Sequence, residues 1–420
     1  MTRVVMVAGT YRPERCGVAH YTQRLRSALG ERGVSSLVLT TNEAARASGD
    51  PSVRGVVRGW GLADLPALVR AVAGAARDVG ADVIHIQHAA GTYGFKRALF
   101  FLPPLLRVAG VRTPLVTTVH EYAWWEWEPR FVPRGVLEAL KTWGQRRGVW
   151  DREDGFLLTG SDALITTNAH FADTITARLP ELAPHLYHAP LVANVDVAPV
   201  ERAGARDEVR SRYGWLPEAP VVAYFGFLHP VKGLETLLEA FAKVLEGRPQ
   251  ARLLLVGGVE SLALRGEEAA WYRNKLRALV AELGLDGVAA MTGYVPEGEA
   301  SRSLSGADVG VLPFNHGVNL KSGALLTLFA HGLPVVATRS DPPEPELADG
   351  RLARLVERRD ASGLASALLE LLDDGPERTR LGEAGRVYTR DLSWSAIAER
   401  HVEVYEAVLE KGAKHPRIKR

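Results

Sequence analysis

Residues 307–338 read ADVGVLPFNHGVNLKSGALLTLFAHGLPVVAT, and this stretch decides the fold. The apolar run ADVGVLPF predicts a buried strand, the loop NHGVN follows it, and LKSGALLTLFAHG predicts a helix. The run LPVVAT then predicts a second strand. Two strands joined by a helix are typical of a βαβ unit, in which the strands are parallel and the helix covers one face of the sheet.

The same alternation extends along the rest of the chain. Three more strand candidates precede this unit: PVVAYFGFL, ARLLLVGG and GVAAMTG. An earlier series contains RVVMVAG, SLVLT, DVIHIQH, PLVTTVH and DALITT, again with helical spacing of apolar residues in between. The two series separate in a proline-containing stretch near residues 190–205. The pattern therefore predicts an α/β protein with two doubly wound parallel-sheet domains and a cleft between them.

Length and composition are those of a two-domain globular protein. The chain has 420 residues and a net charge of +2, which gives no general reason to expect nucleic-acid binding. Cys16 is the single cysteine, so an internal disulfide framework is excluded. The sequence shows neither a signal peptide nor an apolar run long enough to span a bilayer. We expect a cytoplasmic protein, and peripheral attachment to the inner face of the membrane stays open.

In doubly wound sheets, ligands bind outside the carboxyl ends of the strands. In the first domain, Gly17 precedes a predicted helix, where backbone N–H groups can approach a phosphate; alternatively, this glycine serves only the turn. His120 ends the strand PLVTTVH, where an imidazole can contact a sugar hydroxyl or be purely structural. His88 also reaches a strand end, whereas His85 lies inside its strand and is expected to be structural.

In the second domain, Gly226 ends a strand and Lys232 precedes a helix, where a lysine can neutralise a phosphate. Lys321 and Ser322 stand at the start of the helix in the opening stretch, whose first N–H groups lack partners within the helix. No Asp or Glu occurs from residue 316 to 333. The pattern predicts an anion-binding site, and a simple N-cap by Ser322 is the alternative.

No motif for a metal or a nucleophile accompanies these residues. The sequence lacks H-E-x-x-H, paired Cys-x-x-Cys, a DxD-like acidic pair at a strand end and a G-x-S-x-G elbow. We therefore expect neither a metal nor another cofactor at the site. Lysines, helix N-termini and backbone amides would neutralise a bound phosphate.

With both series placed, the chain resembles the retaining glycosyltransferases of family 4, which have the GT-B fold. The resemblance covers nearly the whole length and rests on CGVAHYTQRL, TVHEY, FGFLHPVKGLETLLEAF, LLLVGG, TGYVP, ADVGVLPF, AHGLPVVAT and LSWSAIAERHVEVYE. It implies two Rossmann-like domains facing across a cleft, an acceptor domain at residues 1–195 and a nucleotide-sugar donor domain at residues 196–395. A helix at residues 396–420 would pack back on the first domain.

The resemblance also implies a role for each matching residue. Lys232 would hold the donor diphosphate, Gly17 would face it, and His120 would lie near the reacting sugar carbon. Gly293 and Tyr294 match the positions that contact the nucleotide base. The other donor-binding residues are Gly226, Asn319, Leu320, Lys321, Ser322 and Thr327. Catalysis would fall to His120, Lys232 and Asn319.

Two departures from the family pattern concern charge. Family members commonly have an arginine after the strand-end glycine, and Phe227 stands there instead. They also commonly have two glutamates eight residues apart, where this chain has Asn319 and Thr327. Asparagine can hydrogen-bond a sugar hydroxyl, but threonine cannot form a bidentate clasp on a ribose. We expect Lys321 to replace part of the lost positive charge and the donor to be held more by phosphate than by ribose.

The implied activity is transfer of a sugar from a UDP- or GDP-sugar to a hydroxyl acceptor, with retention of anomeric configuration. The acceptor would be a carbohydrate, a lipid-linked molecule or a small molecule. Trp124, Trp125 and Trp127 can stack on a sugar ring, rest at a membrane surface or simply pack within a long loop. Basic stretches and the basic tail would suit a membrane surface. Two alternatives stay open: a non-catalytic nucleotide-sugar-binding GT-B subunit and a GT-B-like sugar epimerase. An epimerase would need further carboxylates in the cleft. A phosphorylase of the pyridoxal type, which can also have a GT-B-like fold, would need a lysine that forms a Schiff base, and the sequence indicates neither feature.

Overall fold

The computed structural model describes residues 1–123, 126, 128 and 132–414. These residues form two compact units, one of Met1–Pro190 together with the chain from Trp394 onwards, the other of Leu191–Ser393. The boundary that the sequence suggested, after residue 195, falls inside the second unit. The reason is local packing, because Val195 is buried in the core of that unit and the backbone N–H of Asn194 donates to Thr327 Oγ1 at 2.9 Å.

The first unit is built on a seven-stranded parallel sheet. Its strands are β1 (Arg3–Ala8), β2 (Ser35–Thr41), β3 (Val53–Val57), β4 (Val83–His88), β5 (Leu115–Val119), β6 (Ala163–Thr166) and β7 (Leu186–His188). They lie in the order β3-β2-β1-β4-β5-β6-β7, with Val5 paired to Leu37 on one side and Ile84 on the other. Residues of β1, β4 and β5 are buried on both faces, as expected for a sheet covered by helices on both sides.

Amphipathic helices connect these strands. They are α1 (Gly17–Glu31), α2 (Asn42–Ser48), α3 (Leu65–Asp78), α4 (Leu102–Val108), α5 (Arg134–Arg146), α6 (Phe156–Thr159) and α7 (Ala169–Arg178). Short 3₁₀ turns lie at Leu62–Asp64, Ala90–Tyr93, Ala98–Phe101 and Pro180–His185. In α3, proline stands in the first turn, where its missing N–H costs nothing, and Leu68, Val72 and Ala76 are buried along one face.

The second unit repeats the architecture with six parallel strands. They are β8 (Val221–Phe225), β9 (Arg252–Val256), β10 (Ala289–Met291), β11 (Val309–Leu312), β12 (Val335–Thr338) and β13 (Arg354–Val356). The strand order is β10-β9-β8-β11-β12-β13, so the first strand again lies at the centre and the order reverses beside it. The prediction of two doubly wound parallel sheets is confirmed, and the opening stretch forms β11, its loop, a helix and β12.

The helices of the second unit are α8 (Arg202–Arg212), α9 (Leu234–Gly247), α10 (Gly266–Glu282), α11 (Glu297–Ser305), α12 (Gly323–Ala330), α13 (Ala361–Asp373) and α14 (Gly375–Thr389). Two 3₁₀ turns lie at Pro230–Lys232 and Pro345–Leu347. In α9, Leu234, Leu237, Leu238 and Phe241 are fully buried against the sheet. This apolar face fixes the start of the helix close to the carboxyl end of β8.

The helix α15 (Trp394–Lys414) belongs to the first unit. Its start is held by Arg32, whose side chain donates to Ser395 O at 3.1 Å and lies 3.2 Å from Glu399 Oε2. Further along, the Tyr405 hydroxyl lies 2.7 Å from His85 Nδ1 on β4. Among the described residues, we find no helix long and apolar enough to cross a membrane.

A group of buried rings joins α15 to the sheet. His401 lies within ring-contact distance of His85, Tyr21 and Tyr405, and its Nδ1–H donates to Ile397 O at 2.8 Å. Its Nε2 is buried without a hydrogen-bond partner in the described part of the chain. Burial lowers the pKa of His401 from its ordinary value of 6.5 to about 4. The folded protein therefore holds this ring in its neutral form at neutral pH.

This burial predicts acid sensitivity of the first unit. Because the folded pKa of His401 lies below the unfolded one, the unfolded chain binds the extra proton between pH 6.5 and 4, and stability falls as the pH drops through that window. At pH 5 this single group should cost about 2 kcal/mol of unfolding free energy relative to pH 8. Denaturant titrations of His401→Phe should show a fall in unfolding free energy from pH 8 to pH 5 that is smaller than in the wild type by this amount. An equal fall in the two proteins would contradict the assignment.

Candidate functional site

Two glycines bring the loops after β8 and β9 into backbone contact. Gly226 and Gly257 have φ values of 135° and 146°, a region that side chains other than glycine rarely adopt. A Cβ added to Gly257 would lie 2.0 Å from Gly226 O, and Gly226 N donates to Val256 O at 3.1 Å. No side chain therefore fits between the two loops, and Gly226 lies at the carboxyl end of β8 as predicted from the sequence.

The loop after β10 joins the same edge of the sheet. Gly293 has a φ of 70° and forms an isolated bridge with Gly257. Thr292 fastens it, since its Oγ1 accepts from Gly257 N at 3.1 Å and donates to Gly293 O at 2.7 Å. The next residue, Tyr294, is 44% exposed. The structure thus brings Gly226, Gly293 and Tyr294 together and leaves an aromatic ring accessible beside them, which suits stacking on a base.

Lys232 lies at the junction of a 3₁₀ turn and α9. The following Gly233 has a φ of 67°, and a Cβ there would lie 2.0 Å from Pro313 O in the loop after β11. That loop is also tied down by Asn315, whose N–H donates to Val231 O at 3.0 Å and whose Nδ2 donates to Pro230 O at 2.9 Å. The position of Lys232 is therefore fixed by the loops of two adjacent strands.

The charge of Lys232 is partly buried and lies against an aromatic ring. Its Nζ lies 3.6 Å from the centroid of the Phe314 ring. Burial, and to a smaller extent the nearby positive charge of Lys321, lower the pKa of Lys232 to about 8. No acidic group contributes to this pKa within the described residues. The side chain remains mostly protonated at neutral pH, and an anion bound here would stabilise its charged form.

The opening stretch forms a capped helix start. Ser322 Oγ accepts from Leu325 N at 3.3 Å, and Ser322 N donates to Asn319 O at 3.0 Å. The simple N-cap considered as an alternative is therefore present, and it leaves Asn319 and Lys321 half-buried in the preceding turn. A Cβ on Gly323 would lie 2.4 Å from Asn194 Oδ1, so the Asn194 side chain packs against the first turn of α12.

A carboxylate that the opening stretch lacks comes from another loop. Leu320 N donates to Glu344 Oε2 at 2.6 Å, and Glu344 follows β12. Sequence reasoning missed this residue because it is separated from Leu320 by a whole helix and strand. Only the parallel pairing of β11 with β12 places the two loops side by side. The backbone of Leu320, predicted to bind the donor, is thus engaged by a glutamate in this structure.

Thr327 has a structural role in this arrangement. The residue is fully buried, its Oγ1 donates to Gly323 O at 2.7 Å, and it accepts from Asn194 N at 2.9 Å. The hydroxyl therefore fastens the segment before α8 to α12. The sequence placed Thr327 at the position of a family carboxylate, and the structure offers no accessible oxygen from it.

In the first unit, α1 begins at Gly17 with an open N-terminus. The N-cap Cys16 makes no side-chain cap, no acidic residue lies in the first turn, and a Cβ on Gly17 would meet no atom within 4 Å. Packing of the described residues therefore does not require glycine at this position. The space beside the first N–H groups is consistent with the predicted approach of a phosphate.

His120 lies directly after β5 as a neutral, oriented imidazole. Its backbone N–H donates to His88 O at 2.9 Å, and its ring meets the Tyr21 ring edge-on at a centroid distance of 4.7 Å. Burial, followed by the neighbouring His88 and His401, lowers the pKa of His120 to about 3. Its Nε2 lies 2.9 Å from Gln87 Oε1, a carbonyl oxygen that only accepts, so Nε2 carries the proton and Nδ1 is the acceptor.

Gln87 continues this chain of hydrogen bonds into the interior. With its Oε1 accepting from His120, its Nε2 donates to His85 Nε2 at 3.1 Å. His85 Nδ1 then donates to Tyr405 OH at 2.7 Å on α15. Gln87 and His85 are fully buried. Sequence reasoning overlooked Gln87, although its spacing of two from His85 within a strand places both polar side chains on the same face.

Of the remaining residues singled out in the sequence, the structure describes His88 but not the tryptophan cluster or the basic tail. His88 is buried, with Nε2 2.9 Å from Asp154 Oδ1. Trp124, Trp125 and Trp127 and the basic tail from residue 415 lie outside the described residues. Within the described ranges, no cluster of three or more His, Cys, Asp or Glu side chains is placed to hold a metal ion.

Comparison with known families matches both units. The family model for a glycosyl transferase 4-like domain matches residues 16–189, and the model for glycosyl transferases group 1 matches residues 219–374. The D-inositol 3-phosphate glycosyltransferase of Corynebacterium efficiens is 32% identical over 204 residues, 48% of this chain and 46% of that protein. A GDP-mannose-dependent monoacylated alpha-(1-6)-phosphatidylinositol monomannoside mannosyltransferase of Corynebacterium glutamicum is 28% identical over 232 residues, 53% of this chain and 57% of that protein. This chain therefore spans about half the length of the curated relatives it matches.

Solved structures share the complete fold at low identity. A glycosyltransferase from Rickettsia africae superposes with a TM-score of 0.73 at 13% identity, covering 97% of this chain and 99% of that one. HepE of Anabaena in complex with UDP and glucose gives a TM-score of 0.68 at 17% identity, covering 97% and 100%. These structures establish the GT-B architecture for both units. With both family domains present in order, the chain belongs to the group 1 glycosyl transferases with a 4-like first domain.

Proposed function

We propose that this protein transfers a sugar from a nucleotide diphosphate sugar to a hydroxyl group of an acceptor, with retention of anomeric configuration. The observation that carries the proposal is Lys232, a partly buried cation whose pKa is lowered by burial and by a second lysine. A buried positive charge of this kind favours a ligand that brings negative charge to it. A diphosphate next to the accessible ring of Tyr294 would supply both charge and a base to stack.

The donor half of the reaction follows from charge. As the bond between the sugar and the diphosphate lengthens, negative charge grows on the leaving group. Preorganised cations and helix N-termini stabilise such charge most effectively where water is scarce. We assign this task to Lys232 and Lys321, with Asn319 hydrogen-bonded to a sugar hydroxyl. The donor base is uracil or guanine in this proposal, in keeping with the UDP bound to HepE and the GDP-mannose used by the C. glutamicum relative.

His120 is assigned to the sugar. A neutral imidazole with a free lone pair on Nδ1 can accept a hydrogen bond from a sugar hydroxyl, and a positively charged ring would oppose the oxocarbenium-like state. The pKa of His120, lowered to about 3, keeps the ring neutral at physiological pH. In the proposed retaining reaction, the acceptor attacks from the face that the leaving group departs.

We propose a carbohydrate, lipid-linked or small-molecule acceptor and a reaction in the cytoplasm. The names of the curated relatives include both D-inositol 3-phosphate and a monoacylated phosphatidylinositol monomannoside. Metal and other cofactors have no part in the proposed reaction, since the lysines would take up the leaving-group charge.

One observation favours a second candidate, a subunit that binds nucleotide sugars without turnover. Phe227 replaces the usual arginine, and Asn319 and the enclosed Thr327 replace the two usual glutamates, so three charged groups of the family pattern are missing. Thermal shift with a panel of UDP-, GDP- and ADP-sugars, followed by assay of the released nucleotide, separates the candidates. Stabilisation with turnover supports the transferase, and stabilisation without turnover in the presence of acceptor extracts supports the binding subunit.

Lys232→Ala should lower kcat/KM for the donor by about 10²–10³, the loss typical of removing one preorganised group that stabilises transition-state charge. Lys243→Ala is the matched control, since Lys243 is an exposed lysine of the same unit that bonds Ser362. Steady-state kinetics at saturating acceptor would measure both. A loss below about fivefold in Lys232→Ala would contradict the assignment.

Gln87→Leu should reduce kcat about tenfold with little change in the donor KM, because one hydrogen bond that orients His120 is lost. Nitrogen-15 shifts of the His120 ring should then show a mixture of tautomers in place of Nε2–H alone. Gln145→Leu serves as the control, since Gln145 in the same unit donates to the Arg178 carbonyl, away from His120. If the tautomer of His120 is unchanged in Gln87→Leu, Gln87 does not position it.

A further inference from the structure

The outward face of α5 carries three large apolar side chains that are about half exposed to solvent. Val136 is 53% exposed, Leu140 45% and Trp143 51%. Their spacing of four and then three residues places them on one side of the helix. The adjacent face, about 100° round the helix, holds the buried residues Leu137, Lys141 and Gly144. An apolar stripe of this size on a soluble surface marks an interaction site more often than it serves folding.

The inward face accounts for the stability of the helix without the stripe. Lys141 Nζ lies 3.0 Å from Glu126 Oε2 and 3.3 Å from Glu138 Oε1. Gly144 packs directly on the Trp150 indole, which a Cβ at this position would overlap at 1.8 Å. The helix is thus anchored from within, and the stripe can face an external partner without change in the fold.

Basic residues flank the stripe at both ends of the helix. Arg134 precedes it, and Arg146 and Arg147 follow it at the other end of the helix. The Arg147 guanidinium lies 6.0 Å from the centroid of the Trp143 ring. Glu138 is the single acidic residue of α5, and it lies 3.3 Å from Lys141 Nζ and 3.0 Å from Arg152 NH2. The exposed face is therefore apolar at its centre and cationic at its ends.

A shallow cavity with a volume of ≈ 520 Å³ opens beside Trp143. Its lining is Glu138, Ala139, Thr142, Trp143, Arg146 and Arg147. Guanidinium groups next to an indole ring suit a phosphate that lies at the boundary between water and hydrocarbon, where tryptophan is favoured and arginine pairs with phosphate oxygens.

We propose that the exposed face of α5 docks onto the surface of an anionic phospholipid bilayer. Val136, Leu140 and Trp143 would enter the boundary between headgroups and acyl chains, while Arg146 and Arg147 pair with lipid phosphates. This combination of apolar face and flanking basic residues is what binds a helix flat on a membrane surface. Charge complementarity selects the anionic bilayer as the occupant. The inference does not depend on the proposed transferase activity.

Cosedimentation of the full chain with vesicles tests the proposal. Wild-type protein should bind vesicles of equal parts phosphatidylcholine and phosphatidylglycerol, bind phosphatidylcholine alone far more weakly, and lose affinity as salt is raised. Trp143→Ser should weaken binding about tenfold. The double change Arg146→Glu and Arg147→Glu should weaken it about 30-fold or more, since each basic residue near the surface adds a roughly fivefold factor.

The second unit supplies matched controls. Trp271 on α10 is 63% exposed and also has a cation near its ring, Lys275, so Trp271→Ser removes a comparable residue elsewhere. Arg273→Glu with Arg277→Glu makes the same charge change on α10. Both controls should bind vesicles as wild type does, and circular dichroism would confirm that every variant is folded.

Three outcomes would overturn the proposal. They are equal binding by Trp143→Ser and Trp271→Ser, no binding of wild type to anionic vesicles, and self-association that Trp143→Ser abolishes while vesicle binding is unaffected. The last would identify a second copy of this chain as the occupant. Because none of these measurements uses turnover, failure here and failure of the proposed activity are distinguishable.

Discussion

Parallel strand pairing is the constraint on which the rest of this structure depends. Parallel neighbours end at the same edge of the sheet, so the loops after β8, β9, β10, β11 and β12 meet there even though they are far apart in sequence. The approach is close enough that the Gly257 and Gly226 backbones, and the Gly233 and Pro313 backbones, exclude any side chain. Glycine is required at these points, and the loops between them are held in one arrangement.

The two units differ in the charge of the side chains near the carboxyl ends of their strands. In the second unit, Lys232 is retained as a cation although burial disfavours its charge. In the first unit, burial keeps His85, His120 and His401 neutral, and a chain of hydrogen bonds from His120 through Gln87 sets which ring nitrogen carries the proton. One edge thus holds a cation and the other a neutral imidazole with a defined proton position. The proposed separation of a sugar from a diphosphate would use each of these groups.

Residue type and spacing along the chain were enough to predict those features that depend on neighbouring residues. Strand and helix alternation, the loop positions of Gly226 and Lys232 and the cap at Ser322 all follow from residue type and spacing. Glu344 could not be predicted, because its contact with Leu320 exists only once β12 pairs beside β11. The enclosure of Thr327 likewise depends on Asn194, which is more than a hundred residues away. The division of the chain after Pro190 lies within the predicted linker, and its exact place depends on tertiary contacts of residues such as Asn194 that no periodicity reveals.

The return of α15 to the first unit has a consequence for biosynthesis. The polar contact between His85 and Tyr405 joins residues 320 positions apart. A chain growing from the ribosome therefore completes the second unit, which is continuous from Leu191 to Ser393, before the first unit can close its buried ring cluster. During that interval the face of β4 and α1 that will receive α15 is uncovered. Folding order is thus inverted relative to chain order, with the unit that begins first finishing last.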